Sequence, residues 1–97
     1  MDTYEIVVFV QNSRRTSQIV DRYDVAESFG RDVHRHMGID GSCYDAEFEH
    51  SRHFISFSTP VISVMMLGFI SEDLFERTKQ EVRRFMHEEL PLRRPRE

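Results

Sequence analysis

The sequence predicts an α+β fold in which a mainly antiparallel sheet of four or five strands carries two amphipathic helices on one face. Each of two groups of short strand-like segments, rich in β-branched and aromatic residues, is followed by a longer segment with apolar residues at helical spacing. Polar or Gly- and Pro-containing stretches separate these segments, which is typical of turns. We therefore expect the order ββαβββα, with βαβββα as the alternative.

The first predicted strand covers Tyr4 to Gln11, and every residue from Ile6 to Val10 is apolar. A continuous apolar run indicates a strand that is covered on both faces, so we expect a central strand. The next segment, Thr16 to Tyr23, allows two interpretations. It is either the hairpin partner of the first strand or the beginning of a long helix, because Ile19 and Tyr23 continue a helical stripe of apolar residues.

We prefer the hairpin because Asp24 is followed three residues later by Glu27, the pattern of a capping box. This pattern places the start of the first helix just after Tyr23. Gly38 then ends the helix as the residue that follows its last turn. The predicted buried stripe consists of Ala26, Phe29, Val33 and Met37.

Three further strands are predicted between the helices. Tyr44 to His50 alternates strictly, with Tyr44, Ala46 and Phe48 on one face and Asp45, Glu47 and Glu49 on the other. Phe54 to Ser58 and Val61 to Ile70 follow, the latter with Gly68 as a possible bulge. We expect an antiparallel meander whose acidic side chains point to the water-exposed face of the sheet.

The closing helix begins after Ser71, a favourable N-cap, and Glu72 and Asp73 complement the positive end of its dipole. Pro91 ends it. We therefore expect a single domain over residues 1–90 and a flexible Arg- and Pro-containing tail over residues 91–97. The predicted buried stripe is Leu74, Phe75, Thr78, Val82, Phe85, Met86 and Leu90.

Composition excludes several classes of protein. The chain has 97 residues with 17 acidic and 13 basic side chains, a net charge of -4, and one cysteine, which cannot form an internal disulfide. No apolar run approaches the roughly 18 residues of a membrane span, and the first residues lack the pattern of a signal peptide. We expect a soluble, cytoplasmic protein that does not contact a membrane.

Neither a metal site nor an enzyme is expected. The histidines and their neighbours include zinc-ligand types, but two histidines two residues apart on a helix point in different directions. No nucleotide-binding glycine motif is present, and Cys43 has no catalytic signature around it. We therefore predict no cofactor. The residues considered as ligands are His34, His36, Cys43, Asp45, His50 and His53.

The acidic segment is the most informative feature. Between Asp21 and Glu49 lie eight carboxylates against three arginines, which makes the local net charge -5. Alternate residues of a strand are about 6.6 to 6.8 Å apart. This is about twice the 3.4 Å rise per phosphate of one DNA strand. A row of strand carboxylates can thus meet a surface built to bind a phosphate backbone, whereas direct binding of nucleic acid by this acidic chain is disfavoured.

In length, acidity and predicted architecture the chain resembles the small anti-CRISPR proteins of phages that act on type I-F surveillance complexes, in particular those that mimic DNA. The resemblance implies a non-enzymatic inhibitor. It implies that the protein occupies the duplex-DNA site formed by the large subunit and backbone subunits of a Cascade-type complex, and so blocks target DNA. The residues that would replace phosphates are Asp21, Asp24, Glu27, Asp45, Glu47 and Glu49.

The alternative is a small homodimeric regulatory or ligand-binding domain, in which sheet edges or the helix layer pair and a ligand lies at the interface.

Overall fold

The structure is a computed structural model that describes residues 3–38 and 45–89. Its elements follow the order ββαβββα, which confirms the predicted fold class and the preferred order. The predicted tail, residues 91–97, lies outside the described residues. The elements are β1 (Thr3–Val10), β2 (Ser13–Asp21), α1 (Val25–Val33) with a π-helical turn (His34–Gly38), β3 (Glu47–His50), β4 (Phe54–Ser58), β5 (Ile62–Leu67) and α2 (Glu72–Glu89).

The five strands form one sheet in the order β2-β1-β5-β4-β3, and every neighbouring pair is antiparallel. The predicted meander of the last three strands is confirmed. β1 has a strand on each side, as its apolar run predicts. β2 and β3 are the two edges, so segments that are distant in the sequence lie at opposite ends of the sheet.

The β1–β2 hairpin closes through Gln11 and Asn12, whose φ angles of 52° and 68° are left-handed. A two-residue loop with both central φ angles positive matches the right-handed twist of paired strands. The hairpin interpretation is thus confirmed and the long helix is wrong. Ile19, which that helix would have buried, is 68% exposed. The register shifts by one residue near Arg15, which is the extra residue of a β-bulge.

The hydrophobic core lies between one face of the sheet and the two helices. Phe29 of α1 is fully buried, as are Ile6 of β1 and Met66 of β5. The core cluster combines alternate residues of the strands with one stripe from each helix. The predicted α1 stripe is confirmed, since Ala26, Phe29, Val33 and Met37 are all buried.

The beginning of α1 is in the predicted place, but the capping box is wrong. Asp24 occupies the N-cap position without a side-chain cap bond, and Glu27 instead accepts a bond from Arg31 at 2.9 Å. The preceding turn is held by Asp21, whose carboxylate accepts the backbone N–H groups of Tyr23 at 2.8 Å and Asp24 at 3.1 Å. Asp21 thus accepts the Asp24 N–H that Glu27 was expected to bind, and the cap bond expected from the Asp24 side chain is not made.

Gly38 does not end the helix in the predicted manner. The chain widens into a π-helical turn over His34–Gly38, and only Gly68 among the described glycines has a positive φ. A Cβ atom on Gly38 would lie 2.5 Å from Cδ2 of His34. Gly38 is therefore required by close packing rather than by a left-handed backbone.

Two of the predicted strands are longer than the observed ones. The segment predicted from Tyr44 begins as a strand only at Glu47, and Tyr44 itself lies outside the described residues. β5 ends at Leu67, so Gly68 follows the strand and is not a bulge within it. Its φ of 148° is accessible mainly to glycine, and a side chain there would overlap the ring of Tyr4.

The closing helix begins as predicted, because Ser71 Oγ accepts the N–H of Leu74 at 3.1 Å. Leu74, Thr78 and Val82 are buried, and the Thr78 hydroxyl donates to the Leu74 carbonyl at 2.8 Å. Phe75 and Phe85 are half-buried rather than fully buried. The predicted contributions of the Met86 side chain and Leu90 lie outside what the structure describes.

We expect Phe29→Ala to lower the free energy of unfolding by about 3 to 5 kcal/mol, because it removes a fully buried ring and leaves a cavity. Urea unfolding followed by circular dichroism measures this loss. The control is Val61→Ala, at a half-exposed loop position, where the change should stay within about 0.5 kcal/mol. Equal effects of the two changes would contradict the core described above.

We expect Gly68→Ala to destabilise the fold by about 1 to 3 kcal/mol through backbone strain, with a further loss from displacement of Tyr4. The Tyr4 hydroxyl donates to the carbonyl of Phe69 at 2.7 Å, so this bond should be lost as well. Urea unfolding of Gly68→Ala and of Tyr4→Phe separates the two contributions. A Gly68→Ala variant as stable as wild type would show that neither constraint is present.

Candidate protein-binding face

The sheet face that points away from both helices is called the open face below. Its side chains alternate with the core residues along each strand, and the register aligns them in rows across the sheet. In the middle row Val7 pairs with Met65, Met65 with Ser56, and Ser56 with Glu49. The open face is thus a single surface built from all five strands.

The middle of the open face is apolar. Ile19 is 68% exposed, whereas Val7 between its neighbours is only 1% exposed. The remaining apolar side chains of this face are half-buried. The six apolar side chains are Val7, Phe9, Ile19, Phe54, Met65 and Leu67, and Glu5 lies between Ile19 and Leu67.

The carboxylates of Glu47 and Glu49 line the β3 edge of the open face, and both side chains are exposed. Their register partners on β4 are the small residues Ser58 and Ser56. Asp45 precedes the strand and is also exposed. Within the described part of the chain, none of these three carboxylates takes part in an ion pair. We call Asp45, Glu47 and Glu49 the acid row.

The other three carboxylates that the sequence singled out lie elsewhere. Asp21 ends β2, at the sheet edge opposite the acid row, and its oxygens bond to the following turn. Asp24 is exposed at the start of α1. Glu27 pairs with Arg31 at 2.9 Å and with Arg84 at 3.7 Å. The structure therefore aligns Glu47 and Glu49 on one face of β3, with the exposed Asp45 two residues before Glu47, and does not bring Asp21, Asp24 and Glu27 to them.

Arg14 supplies the opposite charge at the β2 edge of the open face, a role that sequence reasoning missed. It pairs in register with Phe9, and its Nη1 lies 3.9 Å from Oε2 of Glu5. Glu5 also accepts a 2.5 Å hydrogen bond from the Ser17 hydroxyl. Arg14 follows a turn signal and precedes the bulge, so simple alternation could not place it on this face. Glu5 on β1 and Asp21 at the end of β2 lie on the same face, so its β2 side carries charges of both signs, whereas Glu47 and Glu49 line the β3 edge.

His34 and His50 each contact a phenylalanine ring. The His50 ring stacks on Phe75 at 3.8 Å between centroids, and the His34 ring on Phe85 at 6.3 Å. In the described ranges 3–38 and 45–89, no group of three or more His, Cys, Asp or Glu side chains is placed to hold a metal ion. Cys43 falls in the gap between these ranges. No helix within them is long and apolar enough to cross a membrane.

Two shallow pockets flank the first turn of α2. One, of about 430 Å³, includes His50, Arg52 and Phe75. The other, of about 550 Å³, includes Tyr23 and Phe69, which are 73% and 61% exposed. Neither pocket contains a side chain of the open face, so the pockets are separate from the acid row.

Comparison of the chain with protein-family models, with curated proteins and with solved structures finds no match.

We expect the purified protein to carry no stoichiometric zinc and its melting temperature to be unchanged by a chelator. The stacked positions of His34 and His50 against phenylalanine rings account for both side chains without a metal. Metal analysis and thermal unfolding with and without chelator measure this. A drop in melting temperature on chelation would show that a structural metal contributes to folding.

Proposed function

We propose that this protein is a non-enzymatic inhibitor that presents its acid row as a DNA mimic and blocks target-DNA binding by a type I-F CRISPR surveillance complex. The observation that carries the proposal is a set of exposed carboxylates at one sheet edge, Asp45, Glu47 and Glu49, with no ion pair among the described residues. No cofactor is required. A target of this kind implies a location in the bacterial cytoplasm.

The geometry of β3 supports phosphate mimicry. Glu47 and Glu49 are alternate residues of a strand, so their side chains are separated by about 6.6 to 6.8 Å along it. This spacing is about that of every second phosphate along one DNA strand. A sheet holds the two carboxylates more rigidly than a loop would, which reduces the entropy lost on binding.

The neighbouring strand β4 leaves the carboxylates of Glu47 and Glu49 accessible. Ser56 and Ser58 lie beside Glu49 and Glu47 on β4, and both side chains are short. A long arginine or lysine side chain from a partner can therefore lie across the serines and reach either carboxylate. Arginine suits this geometry because its planar guanidinium binds a carboxylate through two parallel hydrogen bonds.

We infer the partner from the charge of the acid row and from the resemblance to anti-CRISPR proteins. A basic site that binds duplex DNA is electrostatically complementary to exposed carboxylates, and complementarity of this kind raises the association rate and selects the partner. The resemblance in length, acidity and predicted architecture is the reason for proposing the large subunit and backbone subunits of the type I-F complex as the basic site. Asp21, Asp24 and Glu27 are proposed as secondary contacts, because they lie away from the acid row.

The test is a triple substitution, Asp45→Asn, Glu47→Gln and Glu49→Gln, which retains side-chain size and removes three charges. We expect the fold to survive and the affinity for the surveillance complex to fall at least about tenfold, or roughly 1.4 kcal/mol. Mobility shift of labelled target duplex with purified type I-F complex reports the block. Wild-type inhibition should weaken as salt is added, because the contacts are ionic.

The matched control is Glu72→Gln, Asp73→Asn and Glu76→Gln on α2, which removes the same number and kinds of charge. Asp73 and Glu76 already pair with Arg77 and Lys79, so this variant should inhibit like wild type. If wild type fails to compete with target duplex, the proposed target is wrong. If the acid-row triple inhibits as well as wild type, the acid row is not the contact surface.

A further inference from the structure

The strand β3 is an edge of the sheet, and no other strand of the described chain pairs with its outer side. An edge strand presents a row of backbone N–H and C=O groups to which an extended segment of another chain can pair. We propose that the β3 edge binds such a segment from a protein partner, and that basic and apolar side chains alternate along the segment.

The two faces of β3 determine which side chains the added strand carries. Glu47 and Glu49 are exposed on the open face, whereas Phe48 and His50 point to the helix side, where both rings stack on Phe75. Side chains of a strand paired with β3 alternate in the same way. Basic residues of the segment then lie beside the two glutamates, and opposite charges on neighbouring strands stabilise a sheet.

A groove of about 280 Å³ lies on the helix side of β3. Phe48, Phe57 and Val82 give it an apolar lining, and its charged lining residues are Lys79 and Arg83 of α2. The Phe48 and Phe57 rings meet edge to face, with their centroids 5.7 Å apart. An apolar side chain of the added strand can therefore continue this row of apolar groups.

The packing of the helices places the groove beside the free edge. Gly30 of α1 meets α2 at Glu81. Lys79 and Arg83 are each two residues from Glu81, which is about 200° around the helix. The groove therefore lies on the side of α2 that faces away from α1, next to β3.

The charges on the two sides of β3 favour one register of the segment. Glu47 and Glu49 attract basic side chains on the open face, whereas Lys79 and Arg83 repel them on the helix side. A shift by one residue exchanges the two faces of a strand. It would bring the basic side chains of the segment to Lys79 and Arg83, so the wrong register is opposed as well as the right one favoured.

Neither the other edge of the sheet nor a second copy of β3 meets these conditions. β2 has a bulge at Arg15, and bulges and charged side chains obstruct pairing at an edge. On the helix side of β2, the Gln18 amide donates to Asp32 at 2.9 Å. Two copies of β3 in an antiparallel pair would place Glu47 and Glu49 beside glutamates, which is destabilising.

This inference rests on the acid row of the proposed function and adds the form of the partner, an extended segment. Binding of a peptide is measured without the surveillance complex, so the two proposals fail separately. A protein that binds the peptide but does not compete with target duplex has the edge site and not the proposed target. A protein that competes with duplex but does not bind the peptide lacks the edge site and retains the proposed function.

The probe is a capped heptapeptide in which arginine and valine alternate. Added to isotope-labelled protein at about 150 mM salt, it should shift the backbone amide signals of Glu47–His50 and leave those of β2 in place. We expect a dissociation constant on the order of 0.1 mM. A peptide with the same composition, in which all arginines precede all valines, should bind at least about tenfold more weakly, because each of its faces carries both kinds of side chain.

Peptides N-methylated at every arginine or at every valine test the backbone pairing, because alternate N–H groups of a strand point to opposite edges. One of the two should bind at least about tenfold more weakly, and the other like the parent peptide. Glu47→Gln with Glu49→Gln should weaken binding to a similar extent. The matched control, Glu72→Gln with Asp73→Asn on α2, should bind like wild type.

Equal binding of the two methylated peptides overturns the inference, as does a peptide with separated arginines and valines that binds as well as the alternating one. Either result would show a contact made by charge without strand pairing. The amide spectrum of each variant checks that its fold is intact.

Discussion

The close approach of the two helices at Gly30 is the contact on which the architecture depends. A Cβ atom at Gly30 would lie 3.0 Å from backbone atoms of Glu81 and from the Phe85 ring. Packed helices are separated by 8 to 10 Å as a rule, and a five-stranded sheet is roughly 19 Å wide, so two helices cover one face only when they lie side by side. A glycine at the crossing permits this, and the core cluster consequently reaches towards both sheet edges, with Val20 on β2 and Phe48 on β3 packed against it.

The open face exists because the hydrophobic core lies on one side of the sheet only. Both helices pack against that side, so every side chain that alternates with a core residue faces away from them. On this second face Val7 is almost fully buried between its neighbours, and the charged side chains lie on the edge strands β2 and β3 and, in the case of Glu5, on β1. The acid row and Arg14 thus lie at opposite edges of one rigid surface.

Much of the fold could be predicted from the sequence, because its signals are local. The alternation around Glu47 and Glu49, the stripe through Phe29 and the Ser71 cap each depend on residues within one or two turns of one another. The π-helical turn could not be predicted, since it involves the packing of the His34 ring over Gly38. Local pattern contains no information on that contact.

The candidate site was predictable only in part, for a related reason. Proximity in sequence suggested that the carboxylates from Asp21 to Glu49 belong together, whereas strand order places β2 and β3 at opposite edges. Strand order is set by the whole core and leaves no short-range signal. The same applies to Arg14, because the bulge at Arg15 interrupts the alternation from which its face would be inferred.

The alternation of β5 also provides an internal chemical reporter. Met65 and Met66 are neighbours in the chain, yet Met65 points to the open face between Val7 and Ser56, while Met66 is fully buried under the helices. Peroxide converts an accessible methionine thioether to a sulfoxide and spares a buried one. The ratio of the two oxidation rates, read by peptide mass spectrometry on the unaltered chain, therefore records whether anything lies against the open face, with Met66 as the built-in reference for an intact fold.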